Sequence, residues 1–125
     1  MAVVIVLDAC VLIAFVDPSD ASHDAAVSIM ETLEPLAIAA LTGAELMVRA
    51  VDRSAWVDIF RELAIEVIPI TAEDMVAIAA TRCDSGLRMP DAIVLWLART
   101  TGSGVASFDR RLLAKAEQLG VRVVR

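Results

Sequence analysis

The sequence predicts an α/β domain in which a parallel sheet is covered by helices on both faces. Short apolar runs alternate with longer segments of helical period, the pattern of successive strand–helix units. Hydrophobic residues make up 58% of the 125 residues and the mean hydropathy is +0.71, against about 45 to 50% hydrophobic residues in ordinary globular proteins. Such an excess calls for strands buried on both sides, or for a partner that covers the remainder. The length suits one domain and is short for two, so residues 1–125 are taken as a single unit.

The elements follow in order. AVVIVL at 2–7 is a β-branched strand that ends at Asp8, the first charge in MAVVIVLDACVLIAFV. A membrane span needs about 20 apolar residues, and Asp at the centre of one would cost roughly 2.5 to 3.5 kcal/mol. No basic residue precedes this run, and Asp17 and Asp20 follow it. It reads as neither anchor nor signal peptide, and a cytoplasmic protein is expected. A helical pattern covers 21–34, and LAIAA at 36–40 is the second strand. The next helical pattern, 42–63, opens with Thr42-Gly-Ala-Glu45, a sequence resembling a capping box. IEVI at 65–68 precedes Pro69, and Thr71-Ala-Glu-Asp74 opens a helix over 72–85 in the same manner. Pro90 suits the start of a helix over 90–101, strand 104–106 follows, Asp109 can cap a helix over 109–119, and Gly120 ends it before strand 121–124.

The net charge of −6 and the pI near 4.6 argue against a protein that holds nucleic acid by a broad basic face. Any nucleic acid must be met by local chemistry. Arg49, Arg53, Arg82, Arg88, Arg110 and Arg111 lie near acidic segments, where they can grip phosphates or pair with the protein's own acids. Cys10 and Cys83 have no metal-ligand spacing and are expected to be reduced, buried thiols. Val16 and Met89 stand where a thiol phosphatase would place its arginine. His23 has no second ligand nearby and reads as a solvated residue at a helix start. Trp56 and Trp96 read as core or interface anchors.

In parallel sheets, ligands sit beyond the carboxyl ends of the strands. Asp8 follows the first strand, Glu45 lies soon after the second, Asp109 follows VASF, and Asp91 opens the apolar helix PDAIVLWLA. Each has a bland explanation as a cap or a complement to a helix dipole. Together they suggest one acidic crevice, because helix starts after parallel strands converge on one edge. Crowded carboxylates raise each other's pKa unless a cation neutralises them. An oxygen-only set suits Mg²⁺ or Mn²⁺.

VVIVLDACVLIAF, TGAELMVRA, MPDAIVLWLA and ASFDRRLLAKAEQLGVRVV resemble, in that order, the four acidic segments of the PIN domain, with the closest likeness to VapC-type toxins of type II toxin–antitoxin systems. The resemblance implies a three-layer α/β/α sandwich and an endoribonuclease that uses one or two Mg²⁺ or Mn²⁺ ions to activate water. It assigns catalysis and metal binding to Asp8, Glu45, Asp91 and Asp109, with Ser107 and Cys10 in support. The family favours Ser or Thr where this chain has Cys10, a weaker donor. RNA contacts fall to Arg88, Arg110 and Arg111. The implied partners are an RNA substrate, a cognate VapB-type antitoxin and a second copy of the chain.

Two other readings compete. A binding module of the same fold would keep the acids only as caps. A phosphorylated receiver domain would need a paired acid beside Asp8 and a lysine after a late strand, but Leu7 precedes Asp8 and the only lysine, Lys115, lies in a helical pattern.

Overall fold

The structure, a computed structural model, describes residues 3–125. The predicted start of the first strand at Ala2 lies outside them. Five parallel strands, β1 (Ile5–Leu7), β2 (Leu36–Ala39), β3 (Glu66–Ile68), β4 (Gly104–Ala106) and β5 (Val123–Val124), form one sheet in the order β3-β2-β1-β4-β5. The helices are α1 (Ala9–Val16), α2 (His23–Met30), α3 (Ala40–Val48), α4 (Arg53–Glu62), α5 (Met75–Ser85), α6 (Met89–Thr101) and α7 (Arg110–Gln118).

Strand periodicity divides the apolar residues between two cores. Val4, Val6, Ala37, Ala39 and Val105 face one layer, where α6 packs with Ile78 of α5 and Leu112 and Ala116 of α7. Ile5, Leu7, Leu36, Ile38 and Ala106 face the other, against residues of α1, α2, α3 and α4. This is the three-layer α/β/α sandwich. The central strands β1, β2 and β4 are buried at every residue, as a sheet covered on both faces requires. Seven consecutive residues of α6, Ala92–Ala98, are also buried, which explains why that helix is apolar all round.

Several local expectations change. The apolar stretch after Asp8 is a separate helix, α1. The pattern over 42–63 is two helices, because α3 stops at Val48 and Asp52 starts α4, its Oδ1 accepting from the backbone N–H and hydroxyl of Ser54. Helix α3 begins at Ala40, so Thr42 lies buried inside it and forms no capping box with Glu45. The Thr71–Asp74 box does form, on a short 3₁₀ turn over Ala72–Asp74 that leads into α5. Cys83 is exposed and Cys10 only half-buried, and both are free thiols. His23 is half-buried, with Nδ1 2.8 Å from the Ala14 carbonyl in the last turn of α1. Trp96 is in the core, and Trp56 stacks at a tilt on Phe60 with ring centroids 6.0 Å apart.

This topology fixes where the acids can meet. Because all strands run the same way, the exits of β1, β2 and β4 share one edge of the sheet. Helix α6 feeds β4 from the opposite edge through Gly102 and Ser103, so its first turn, with Asp91, returns to the edge where the strands exit. No helix among the described residues is long and apolar enough to cross a membrane.

Candidate active site

Asp8 is the N-cap of α1 and also the end of β1. Its backbone N–H donates to the Ala106 carbonyl (2.9 Å), a last rung toward β4, and its Oδ1 accepts from the Ala9 N–H (2.9 Å). Capping therefore occupies one oxygen. The other, Oδ2, accepts from the Ser107 hydroxyl at 2.7 Å and from the Cys10 thiol at 3.5 Å. Ser107 is fully buried and its Oγ also accepts from the Asp109 N–H (3.0 Å), so one hydroxyl links the first acid to the last. Cys10 Sγ accepts from the Phe108 N–H (3.4 Å), a second tie across the β1–β4 boundary. Burial, then the Asp8 charge, pushes the Cys10 thiol up, which keeps it protonated and able to donate.

Asp109 caps α7 in the same divided manner. Its Oδ1 accepts from Arg111 N–H (2.9 Å) and Leu112 N–H (3.2 Å), and only that oxygen is used by the cap. Glu45 has no capping role in this helix register, and its exposed side chain stands on α3 beside Ala9 and Ile13 of α1. Asp91 lies in the first turn of α6, where the helix dipole favours negative charge.

Electrostatics joins the four. Partial burial, then the charges of Asp8 and Asp91, raises the Glu45 carboxyl above its ordinary value, with Arg88 opposing. Partial burial, then Asp8 and Asp109, raises Asp91, with Arg88 and Arg111 opposing. Glu45 and Asp91, from separate segments, therefore both feel Asp8, and Asp91 feels Asp109 as well. Among the described residues no three His, Cys, Asp or Glu side chains close into a preformed metal cage. The donors are carboxylates flanked by a hydroxyl, with charges that repel. Such a set fits a hard divalent ion of the Mg²⁺ class, which takes one or two carboxylates and completes its shell with water and substrate oxygens.

The three predicted RNA-contacting arginines separate. Arg88 and Arg111 act as counter-charges to the acids, and an Arg111 guanidinium N–H donates to the Gly86 carbonyl at 3.0 Å. Arg110 points elsewhere, into a cavity that it shares with Ser107, Ser22 and Arg125. Sequence reasoning missed Ser22 and Arg125, and nothing local marks them, since they meet Ser107 only through the fold.

The sequence profile of the PIN domain matches residues 5–118. The chain belongs to the PIN domain family. Solved structures agree on the fold. The chain is similar to a toxin–antitoxin complex from Klebsiella pneumoniae (TM-score 0.73, 23% identity, 96% of this chain and 95% of that one). It is also similar to FitAcB from Neisseria gonorrhoeae (0.71, 17%, 97% and 96%). A third likeness is to VapBC2 from Rickettsia felis, solved bound to a DNA fragment from its promoter (0.68, 14%, 97% and 97%). No curated protein matches the chain. PIN domains are generally nucleases that use divalent metals.

Proposed function

We propose that this single PIN domain is a Mg²⁺- or Mn²⁺-dependent endoribonuclease toxin of the VapC type, acting in the cytoplasm and silenced by a cognate VapB-type antitoxin. The observation that carries this reading is the convergence of the acids on one sheet edge: the Ser107 hydroxyl donates to Asp8 Oδ2 and accepts from the Asp109 N–H, and Glu45 and Asp91, raised first by burial, both feel the charge of Asp8. A set of caps alone would have no reason to crowd.

In this reading Asp8, Asp91 and Asp109, with Glu45 directly or through water, hold one or two divalent ions. When bound, the ions supply an activated water and stabilise charge on the phosphoryl group. The chain's own residues do the rest. Ser107 and Cys10 fix Asp8 Oδ2, and Ser107 fixes the backbone of Asp109, so the two carboxylates keep their relative placement without reorganising. Arg88 and Arg111 temper the acidity and face the same edge as the arriving phosphate. The family likeness supports products with 5′-phosphate and 3′-hydroxyl ends.

The toxin–antitoxin complexes among the similar structures support an antitoxin as partner. An antitoxin Arg or Lys placed among the acids would neutralise them as a metal does. A homodimer is supported by apolar side chains that the fold leaves uncovered, among them Val48, Val51, Met75 and Val76.

The test is cleavage of total RNA by the purified, antitoxin-free chain. Cleavage is expected with Mg²⁺ or Mn²⁺, none with chelator, and a loss of at least about a hundredfold in Asp8→Asn and Asp91→Asn. Cleavage that persists in chelator, or in both variants, overturns the mechanism.

A further inference from the structure

Arg110 and Ser107 line a cavity of about 350 Å³ that none of the four acids lines; Ser22, Ala25, Phe108, Leu113 and Arg125 complete its wall. It is an open depression at the surface, of a size that can seat part of a chain-like ligand. Its chemistry is unlike that of the neighbouring acidic edge. Arg110 makes no ion pair among the described residues, and Arg125 commits one guanidinium nitrogen to Glu117 (2.8 Å), leaving further donors. Ser22 is the N-cap of α2, yet its side chain makes no capping bond, so its hydroxyl is free. The first turns of α2 and α7 both contribute to the wall, adding the positive ends of two helices.

Phe108 supplies the aromatic part. It is half-buried, lines the cavity while packing in part against the core, and its N–H is tied to Cys10 Sγ, two residues from Asp8. The stacking surface is therefore held in a set relation to the acids. Two guanidinium groups, the Ser22 hydroxyl and one aromatic side chain together form a donor and stacking set of the kind that single-stranded nucleic acid uses.

We propose that this cavity is a subsite for an unpaired nucleotide of the RNA, next to the one whose linkage is cut, with its phosphate on Arg110 and Arg125 and its base against Phe108. The inference rests on the ribonuclease reading and goes beyond it by naming where the strand continues. It also explains how a chain of net charge −6 can hold RNA: the strand is gripped at a local basic pocket beside the acids.

Binding separates the subsite from catalysis. Fluorescence anisotropy in chelator, with a short mixed-sequence single-stranded RNA, reads affinity without cleavage. Arg110→Ala is expected to weaken binding on the order of fivefold and to reduce the slope of log Kd against log salt by about 0.7, the value for one phosphate contact on a single strand. Phe108→Leu, which keeps an apolar side chain toward the core, is expected to weaken binding about tenfold with the slope unchanged. The same RNA annealed to its complement should bind more weakly than the single strand. Unchanged Kd and slope in Arg110→Ala, or equal binding of duplex, overturns the subsite while wild-type cleavage leaves the ribonuclease reading standing. If the wild-type chain neither binds nor cleaves RNA, both fall.

Discussion

Two oxygens of one carboxylate do different work at Asp8: Oδ1 holds the start of α1, and Oδ2 is held by Ser107 and Cys10. Removing the Ser107 hydroxyl leaves the Asp109 N–H without its acceptor and Asp8 Oδ2 without its shortest bond. Ser107→Ala is expected to cost about 1 to 3 kcal/mol in urea unfolding, the usual penalty for orphaning buried polar groups. Cys10 is a gentler case, because a thiol donates weakly. Cys10→Ser should retain or raise metal-dependent activity, whereas Cys10→Ala should lower it; rescue by the hydroxyl separates positioning of Asp8 from mere filling of space.

The raised carboxyls make a second prediction at the same scale. A carboxyl whose pKa is higher in the folded state binds more protons there, so stability falls as pH rises through that window. For Glu45 and Asp91 the contribution is complete below the ordinary values of 4.5 and 3.8 and is lost as pH climbs through the raised ones. The neutral variants Glu45→Gln and Asp91→Asn should therefore raise the Tm of metal-free protein at neutral pH, and the gain should vanish near pH 4. A lower Tm for both at neutral pH would show that the carboxylates are held by attraction.

Among the elements, α6 carries the most burial and positions Asp91. Leu95 is completely buried, so Leu95→Ala is expected to cost about 2 to 5 kcal/mol by equilibrium unfolding. The helix, its apolar circumference and its acidic start were legible in PDAIVLWLA, because full burial leaves a full apolar imprint. The central strands β1, β2 and β4 were legible for the same reason, while β3 and β5, only partly buried, showed through their short β-branched runs. The break between α3 and α4 was obscured because residues 49–52 keep a helical composition, although Asp52 two before Ser54 is a local N-cap signal. Thr42-Gly-Ala-Glu45 misled in the other direction: it has the spacing of a capping box, but β2 runs directly into α3 at Ala40 and places Thr42 inside the helix. That shift frees Glu45 for the site. Juxtapositions of residues far apart, such as the Phe108 N–H on Cys10 or Ser22 and Ser107 in one cavity wall, leave no trace in local spacing and needed the fold.

At the scale of the molecule, some of the apolar excess in the composition stays at the surface of the single chain. Val51 and Val76 remain 108% and 82% exposed, and sedimentation of the purified chain is expected to give a dimer. Charge adds a separate constraint. Seventeen acids against eleven basic residues leave a negative field, and in the proposed reading an ion at the sheet edge would relieve part of it. Binding to the folded state alone stabilises by RT ln(1 + [L]/Kd), about 2.7 kcal/mol at a hundredfold excess over Kd. Millimolar Mn²⁺ should thus raise the Tm of the wild-type chain, and Asp91→Asn should be more stable than wild type without metal yet gain little from it. The crossing of those two responses is the decisive feature, since a nonspecific effect of divalent salt on an acidic protein would raise both alike. Parallel shifts in the two proteins would place the ion elsewhere on the surface and remove the acids' claim to it.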